Sequence, residues 1–278
     1  MASPPDEELS VVTSGEDRRV LRELSEAIAV GTPVVLATVV ATRRSVPRHA
    51  GTKMLVFADG RIVGTVGGGA MESRVIDEAL ERLHTGTTKL LDYKLFEPDR
   101  GDPGLCGGEM QIYLEPYMPP PTILVIGAGH VGRAVVDLAH WLGYRTVITD
   151  DREDRLTEDA IPHADVRLAG SVAVALAGHE ITVDTAVVVV SREVDIDVEA
   201  VTHLIDSPAG YLGVMGSARR WRKVRDRLME GGVDEAALDR IHVPIGIDLG
   251  AETVEEIAVS ILSEVIRVRR GAEAPEAD

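Results

Sequence analysis

Three glycines, Gly127, Gly129 and Gly132, have the G-x-G-x-x-G spacing of a turn that binds phosphate groups. A short apolar run precedes them, a helix-like apolar pattern follows them, and a second apolar run ends at two acidic residues. This order of strand, turn, helix, strand and acid is typical of a dinucleotide-binding unit. It predicts that Gly127 makes the tight turn, that Gly129 lets the backbone approach a phosphate, and that Gly132 lets the helix pack against the strand.

The two acidic residues are Asp150 and Asp151, at the distance from the third glycine expected of an acid that holds a ribose. They are predicted to accept hydrogen bonds from ribose hydroxyl groups. An acid here disfavours a 2′-phosphate, so the pattern favours NAD over NADP. Alternatively, Asp151 only caps the segment that follows it. His130, inside the glycine turn, could contact the same ligand or lie exposed to solvent.

Two further segments of the second half contain groups that bind anions. Arg192 follows an apolar run and could pair with a phosphate or carboxylate, or could be an exposed loop residue. Gly216 and Ser217 open a predicted helix, whose free N–H groups could form a second anion site. Cations are dense along that helix: Arg219, Arg220, Arg222, Lys223, Arg225 and Arg227. Such a run is usually a solvated helix face, and binding of an anion or a partner is the alternative.

The first half has its own glycine run, Gly67, Gly68 and Gly69, which joins a predicted strand to a helix that includes Glu72. The backbone N–H groups of this run could cradle an anion. Arg48 is predicted near the same sheet and could add a positive charge to the site. The first half therefore contains a second candidate binding region.

The only cysteine, Cys106, is flanked by glycines, with Gly107 and Gly108 directly after it. Most free cysteines are small residues of the core. A thiol among glycines is predicted to be more approachable, and the free backbone N–H groups would stabilise a thiolate or a bound anion. Cys106 is therefore a candidate functional residue.

Composition limits the classes of function. A net charge of −17 disfavours binding to nucleic acid or to an anionic membrane surface. A single cysteine excludes an intrachain disulfide framework and a cysteine-rich zinc site. The histidines show no ligand spacing, so a metal site built by the protein is not expected. The acidic N-terminus does not read as a signal peptide, and no apolar run is long enough to span a membrane. A cytoplasmic protein is therefore predicted.

Prolines at 116 and 119–121 mark the boundary between two predicted domains, because consecutive prolines fit neither a helix nor a central strand. Residues 1–116 are predicted as a smaller α+β domain and 117–121 as the linker. Strands predicted at 122–126, 145–149, 185–190, 210–214 and 241–243 alternate with helices. The fold class is therefore α/β, with a Rossmann-like, doubly wound parallel sheet over 122–270. A disordered tail is predicted over 271–278.

Several segments together resemble the xanthine dehydrogenase accessory protein family (XdhC/CoxI-like). The resemblance covers about residues 18–270. The matching segments are 45–48 with Gly51, 64–69 with Glu72, 104–108, 126–132, 211–217 and 244–253. Taken together these motifs are specific, whereas the glycine turn alone is not.

The resemblance implies a maturation factor that binds the molybdenum cofactor, a phosphorylated pterin (molybdopterin). It would assist sulfuration of this cofactor with a cysteine desulfurase and pass it to a molybdenum hydroxylase of the xanthine dehydrogenase or carbon monoxide dehydrogenase type. Cys106 would then be a ligand of the soft metal centre. Many members have a second cysteine after the first glycine run, where this chain has Ala70. The step that depends on that cysteine is thus absent here or is performed differently.

Two other functions stay open. The glycine turn with Asp150 is compatible with an NAD(P)-dependent oxidoreductase, although no residue stands out as the acid or base of a hydride transfer. The second of these functions is a sensing module that binds a nucleotide without turnover. The resemblance favours a maturation factor that performs no catalysis of its own, and a homodimer is predicted because two-domain cytoplasmic proteins often pair symmetrically.

Overall fold

The structure is a computed structural model that describes residues 15–94 and 108–271. The chain divides into two compact units, Met1–Pro119 and Pro120–Asp278. The division falls among the prolines of the predicted linker, and each unit has its own sheet and its own cores. Residues 272–278, most of the predicted tail, lie outside the described residues.

The first unit is an antiparallel sheet with a helix on each face. Its strands lie in the order β3-β2-β1-β5-β4. Its elements are α1 (Gly15–Val30), β1 (Val34–Arg43), β2 (Lys53–Phe57), β3 (Ile62–Gly64), α2 (Gly69–Thr85), β4 (Lys89–Lys94) and β5 (Glu109–Tyr117). These bounds agree with the predicted α+β arrangement of this half.

The central strand β1 explains why both faces of this sheet are covered. Side chains alternate between the two faces of a strand. Val34 and Leu36 pack with the buried residues of α1, whereas Val35 and Ala37 pack with those of α2. A continuous run of apolar residues is therefore buried on both sides.

The second unit is a parallel sheet with the strand order β10-β9-β6-β7-β8. Its strands are β6 (Thr122–Ile126), β7 (Arg145–Asp150), β8 (Val166–Ala169), β9 (Thr185–Val189) and β10 (Tyr211–Val214). Its helices are α3 (His130–Trp141), α4 (Val172–Leu176), α5 (Val194–Leu204), α6 (Ala218–Glu230), α7 (Glu235–Leu238) and α8 (Val254–Arg269), with a short 3-10 turn at Glu153–Arg155.

Alternate residues of β6 show that this sheet is doubly wound. Ile123 and Val125 pack in one core with residues of α3 and α8. Leu124 and Ile126 pack in a second core with residues of α5 and α6. The predicted α/β class and Rossmann-like sheet are therefore confirmed. None of the helices among residues 15–94 and 108–271 has the length and apolar character needed to cross a membrane.

One predicted strand is wrong. Residues 241–243 form only an isolated bridge between His242 and Gly213, and a cis peptide bond to Pro244 follows directly. The fifth strand is instead β8, which pairs with β7 at the sheet edge. None of its four residues is fully buried, so its sequence lacks the apolar run by which the other strands are recognised.

The side chains of Thr253 and Glu256 cap the start of the last helix. Thr253 Oγ1 accepts a hydrogen bond from the backbone N–H of Glu256, and the Glu256 carboxylate accepts one from the backbone N–H of Thr253. This reciprocal pair is a capping box, which satisfies two N–H groups that would otherwise lack partners at the helix start.

Candidate functional site

The three glycines of the turn after β6 have different physical roles. Gly127 has a φ of +116°, and a Cβ there would lie 2.7 Å from the carbonyl oxygen of Val190. A Cβ on Gly132 would lie 1.9 Å from the carbonyl oxygen of Gly127. No heavy atom lies within 4 Å of a Cβ placed on Gly129. Close packing therefore explains why the first and third positions are glycine. The middle glycine faces open space.

The start of α3 supplies free donors beside that open space. Gly129 is the N-cap residue and no side chain caps the helix. The first N–H groups of a helix lack intrahelical acceptors and attract anions. His130 is the first helical residue and its side chain is exposed.

A cleft of ≈ 200 Å³ lies at the carboxyl ends of β6, β7 and β9. This is the point at which the strand order reverses, because β6 pairs with β7 on one side and β9 on the other. Ligands of open parallel sheets bind at such a point. Five residues predicted from the sequence line the cleft together: Gly127, Gly129, Asp150, Asp151 and Arg192. Gly132 and His130 are not among the lining residues.

Asp150 holds the glycine turn in place, and its side chain is only 2% exposed. Its carboxylate accepts hydrogen bonds from the backbone N–H of Ala128 at 2.7 Å and from the backbone and guanidinium of Arg152. Although burial opposes ionisation, the hydrogen bonds from Arg152 and Ala128 hold the pKa of Asp150 well below its usual range.

We expect Asp150→Asn to lower the free energy of unfolding by about 2 kcal/mol at pH 7, because the amide cannot accept from all of these donors and Arg152 is only partly buried. The folded-state pKa is depressed, so the stability that Asp150 contributes is present above its unfolded pKa of about 3.9 and is lost as the pH falls through its folded pKa. Urea unfolding measured from pH 7 to pH 3 should therefore show the wild type and the variant converging below about pH 4. A constant difference over this range would contradict the role of the ionised carboxylate.

Asp151 lies beside Asp150 but is exposed, with 43% of its side chain accessible. Arg192 donates to both of its carboxylate oxygens, at 2.7 and 2.9 Å. These hydrogen bonds lower the pKa of Asp151. Arg192 also donates through Nε to Glu193 at 2.9 Å. The sequence left two interpretations of Arg192, a partner of a phosphate or carboxylate and an exposed loop residue, and the structure pairs it with carboxylates of the protein.

Thr149 is a lining residue that the sequence did not single out. The residue is 1% exposed, and its hydroxyl has no hydrogen-bond partner among the described residues. A buried hydroxyl without a partner costs roughly 1–3 kcal/mol, so such groups usually have a function or a partner that is not part of the chain.

A second buried carboxylate lies next to the cleft. Asp197 is fully buried and accepts hydrogen bonds from the Ser191 hydroxyl at 2.6 Å and from Arg220 at 2.7 Å. Burial raises the pKa of Asp197 although both hydrogen bonds act in the opposite direction. This network joins the loop after β9 to α5 and α6, and so fixes the wall of the cleft formed by Ser191 and Ile196.

The predicted anion site at Gly216 and Ser217 lies at the start of α6, outside this cleft. Ser217 is the N-cap residue, and its hydroxyl accepts from the backbone N–H of Arg220. Half of the basic residues on α6 are paired, namely Arg220 with Asp197, Arg225 with Glu235 and Arg227 with Asp195. Within the part of the chain that the structure describes, the exposed cations Arg219, Arg222 and Lys223 have no ion-pair partner.

The glycine run of the first unit is already occupied by a carboxylate of the protein. Glu72 accepts hydrogen bonds from the Thr65 hydroxyl and from the backbone N–H groups of Val66 and Gly68, the latter two at 3.1 and 3.2 Å. The backbone N–H of Gly67 donates to the Thr65 hydroxyl at 3.1 Å, so an external anion would have to displace this hydroxyl from Gly67 and the Glu72 carboxylate from Gly68. The first N–H groups of α2, which begins at Gly69, have no side-chain cap.

The structure describes only some of the other first-unit residues that the sequence predicts for the site. Arg48 is half-buried, and its guanidinium lies 3.8 Å from the carboxylate of Glu16. Gly108 is buried against a neighbouring segment, where a Cβ would lie 2.2 Å from the carbonyl oxygen of Ser45. Cys106 and Gly107 lie outside the described residues. Residues 15–94 and 108–271 contain no group of three or more metal-ligating side chains.

Comparisons with known proteins agree on one family. The model described as the XdhC Rossmann domain matches residues 123–265, and the model described as the XdhC and CoxI family matches residues 27–94. A crystal structure described as a xanthine dehydrogenase from Bacillus halodurans is similar over 92% of this chain and 97% of that chain, with a TM-score of 0.51. At 22% identity this likeness concerns the fold alone.

Three curated bacterial proteins are similar in sequence. Escherichia coli (strain K12) YqeB is 36% identical over 86% of this chain and 44% of its own length. A Bacillus subtilis (strain 168) protein, named as a probable xanthine dehydrogenase subunit, is 28% identical over 57% of this chain and 46% of its own length. The molybdenum cofactor insertion chaperone PaoD of Escherichia coli (strain K12) is 26% identical over 91% of this chain and 89% of its own length. The chain thus spans less than half of the first two relatives.

Proposed function

Since the chain belongs to the XdhC and CoxI family, we propose that it is a maturation factor that binds the molybdenum cofactor as cargo and helps to insert it into a molybdenum hydroxylase. The observation that carries this proposal is the likeness to the molybdenum cofactor insertion chaperone, which extends over nearly the whole of both chains. The relative that is named for xanthine dehydrogenase supports a client of that type.

The chemistry of the cargo suits groups of this chain. A phosphorylated pterin requires donors for its phosphate, and uncapped N–H groups are present at the starts of α2 and α3. The metal of the cargo is soft and prefers a thiolate, for which Cys106 is the only cysteine of the chain. Binding at Gly67 and Gly68 would require the Thr65 hydroxyl and the Glu72 carboxylate to release these two N–H groups, so cargo phosphate would bind instead at the first N–H groups of α2.

Three finer features belong to the same proposal. The chain would cooperate with a cysteine desulfurase that supplies sulfur to the cargo. The family resemblance implies a second cysteine where this chain has Ala70, so Cys106 would be the only thiol of the chain that handles this sulfur. The working form would be a homodimer in the cytoplasm.

The proposal predicts that Cys106→Ala abolishes retention of the metal while the fold persists, because the variant removes the only soft side-chain ligand of its type. The protein and the variant would be purified from a host that makes molybdopterin, and the released pterin and molybdenum would be quantified by mass spectrometry. Met118→Ala, an exposed sulfur residue, is the control. Wild-type protein without pterin, or a variant with undiminished molybdenum, would refute the proposal.

A second candidate function is an NAD(P)-dependent oxidoreductase. The cleft at the end of β6 favours it, because a dinucleotide would fit the glycine turn and the start of α3. The titratable groups that line the cleft are Asp150, Asp151, Arg152, Arg192 and Glu199. Both aspartates are ion-paired, so neither is poised to exchange a proton during hydride transfer. Loss of NADH absorbance with a candidate substrate would establish this function in place of the first.

A further inference from the structure

We propose that the edge strand β4 of the first unit is the contact surface of a symmetric dimer. The β4 strands of two copies of this chain would pair in antiparallel orientation and so join the two sheets. The inference rests on the homodimer that belongs to the proposed function, and it names the surface through which that homodimer forms. It concerns the first unit alone and does not depend on the identity of the cargo.

Strand β4 is the longest of the four edge strands among the described residues. It has six residues, whereas β3 has three and β8 and β10 have four each. Within residues 15–94 and 108–271, β5 is the only strand that pairs with β4, so the backbone groups along its outer edge have no strand as a partner. A short edge strand resists pairing with another chain, whereas a longer open edge is a template for an added strand.

The side chains of β4 leave room for an added strand on both faces of the sheet. Leu91 is buried in the core beneath α2, and the neighbouring Leu90 points to the opposite face, where it is 50% exposed. On the α2 side, a groove of ≈ 400 Å³ lies along β4. Its lining residues are Arg74, Asp77 and Glu78 of α2 and Leu91, Asp92 and Tyr93 of β4. A strand added at this edge would cover the exposed Leu90.

The order of side chains along β4 favours a second copy of the chain as the added strand. A two-fold axis perpendicular to the sheet relates two identical antiparallel strands, and residues that lie opposite each other then point to the same face. With the axis at Leu91, residues 89–93 of the two strands pair. Leu90 then lies opposite Asp92 of the other copy, and Lys89 lies opposite Tyr93, so no like charges meet. A lysine beside a tyrosine ring is itself a favourable contact.

The other symmetric registers of β4 are less favourable. An axis at Asp92 places this carboxylate opposite the same carboxylate of the other copy, and like charges directly opposite each other destabilise a strand pair. An axis at Leu90 pairs only residues 89–91, and an axis at Tyr93 pairs only residues 92–94. The register centred on Leu91 is therefore the one that combines a long pairing with compatible charges.

The test is sedimentation equilibrium of the full-length protein, which we expect to be a dimer. Leu90→Asp should raise the dissociation constant of the dimer by about ten-fold or more, because it places a carboxylate opposite Asp92 of the other copy twice in each dimer. Adding Asp92→Lys to the same chain should restore the dimer, because the two opposite charges then differ in sign. A variant that is merely misfolded would not be restored by this second substitution.

Val40→Asp is the matched control, because Val40 is an apolar residue of the central strand β1 that is 46% exposed and lies away from the β4 edge. Its dissociation constant should equal that of the wild type. A dimer that Leu90→Asp leaves intact, or that the double variant does not restore, would overturn the contact through β4 and leave the homodimer standing. A wild-type protein that sediments as a monomer would overturn both. The content of pterin and molybdenum is measured separately, so the maturation role fails or stands independently.

Discussion

Gly132→Ala should lower the free energy of unfolding of the second unit by about 3 kcal/mol or more, the upper part of the range for overpacked sites. The added Cβ would lie 1.9 Å from the carbonyl oxygen of Gly127 and 3.3 Å from Val125. The first of these neighbours is backbone, so it cannot rotate away. Relief would require α3 to move from β6, and these elements share a core.

Gly129→Ala is the matched control for this prediction. It lies in the same turn, its φ of −79° suits any residue, and the added Cβ would meet nothing. Its cost should stay within about 1 kcal/mol, since alanine is a poorer N-cap than glycine. Urea unfolding followed by circular dichroism measures both. Equal losses of stability in the two variants would contradict the prediction. They would mean that the backbone around Gly132 can move to accommodate the added Cβ.

The same two variants should separate packing from ligand binding. Gly129→Ala places a methyl group where the sequence predicts that a phosphate approaches the backbone, so it should weaken any binding of NADH while the fold is retained. The packing roles expected of Gly127 and Gly132 from their spacing agree with the close backbone contacts at both positions. The role of Gly129 towards a ligand stays a prediction.

Most of the fold could be predicted from the sequence because its signals are local. The apolar runs of β6, β7 and β9, the capping box of α8 and the prolines between the units are all visible within short segments. Edge strand β8 could not be recognised, since it is short and only partly buried. Residues 241–243 resemble a strand in sequence because an isolated bridge and a strand can share the same apolar residues.

The site was predictable only as a set of residues, and not as a set of interactions. The spacing of the glycines and acids placed Gly129, Asp150 and Asp151 at one sheet edge, where the cleft contains all of them. The pairing of Arg192 with Asp151 joins residues that are far apart in the chain, and no local pattern reveals it. Arg152 directly follows the two acids. Its position could have suggested that the carboxylate of Asp150 already accepts hydrogen bonds from the protein.

Glu264→Ala should destabilise the second unit by about 3–5 kcal/mol, because a buried acceptor with several donors is removed. Glu264 is 6% exposed and accepts hydrogen bonds from the Tyr211 hydroxyl at 2.7 Å and from the backbone N–H of Gly246 at 2.8 Å. His242, stacked on Tyr211, lies 3.4 Å from its other oxygen. One carboxylate of α8 thus fastens the segment after β10 to the sheet.

A double-mutant cycle with Tyr211→Phe tests how this stability is shared. Tyr211→Phe alone should cost about 1 kcal/mol, since it removes one hydrogen bond and leaves Glu264 its other donors. In the double variant the buried hydroxyl is no longer left without a partner, so the two losses should be less than additive. Glu255→Ala, an exposed position in the first turn of α8, should cost less than about 1 kcal/mol. Strictly additive losses of Glu264→Ala and Tyr211→Phe, measured by urea unfolding, would mean that the hydrogen bond between them contributes nothing.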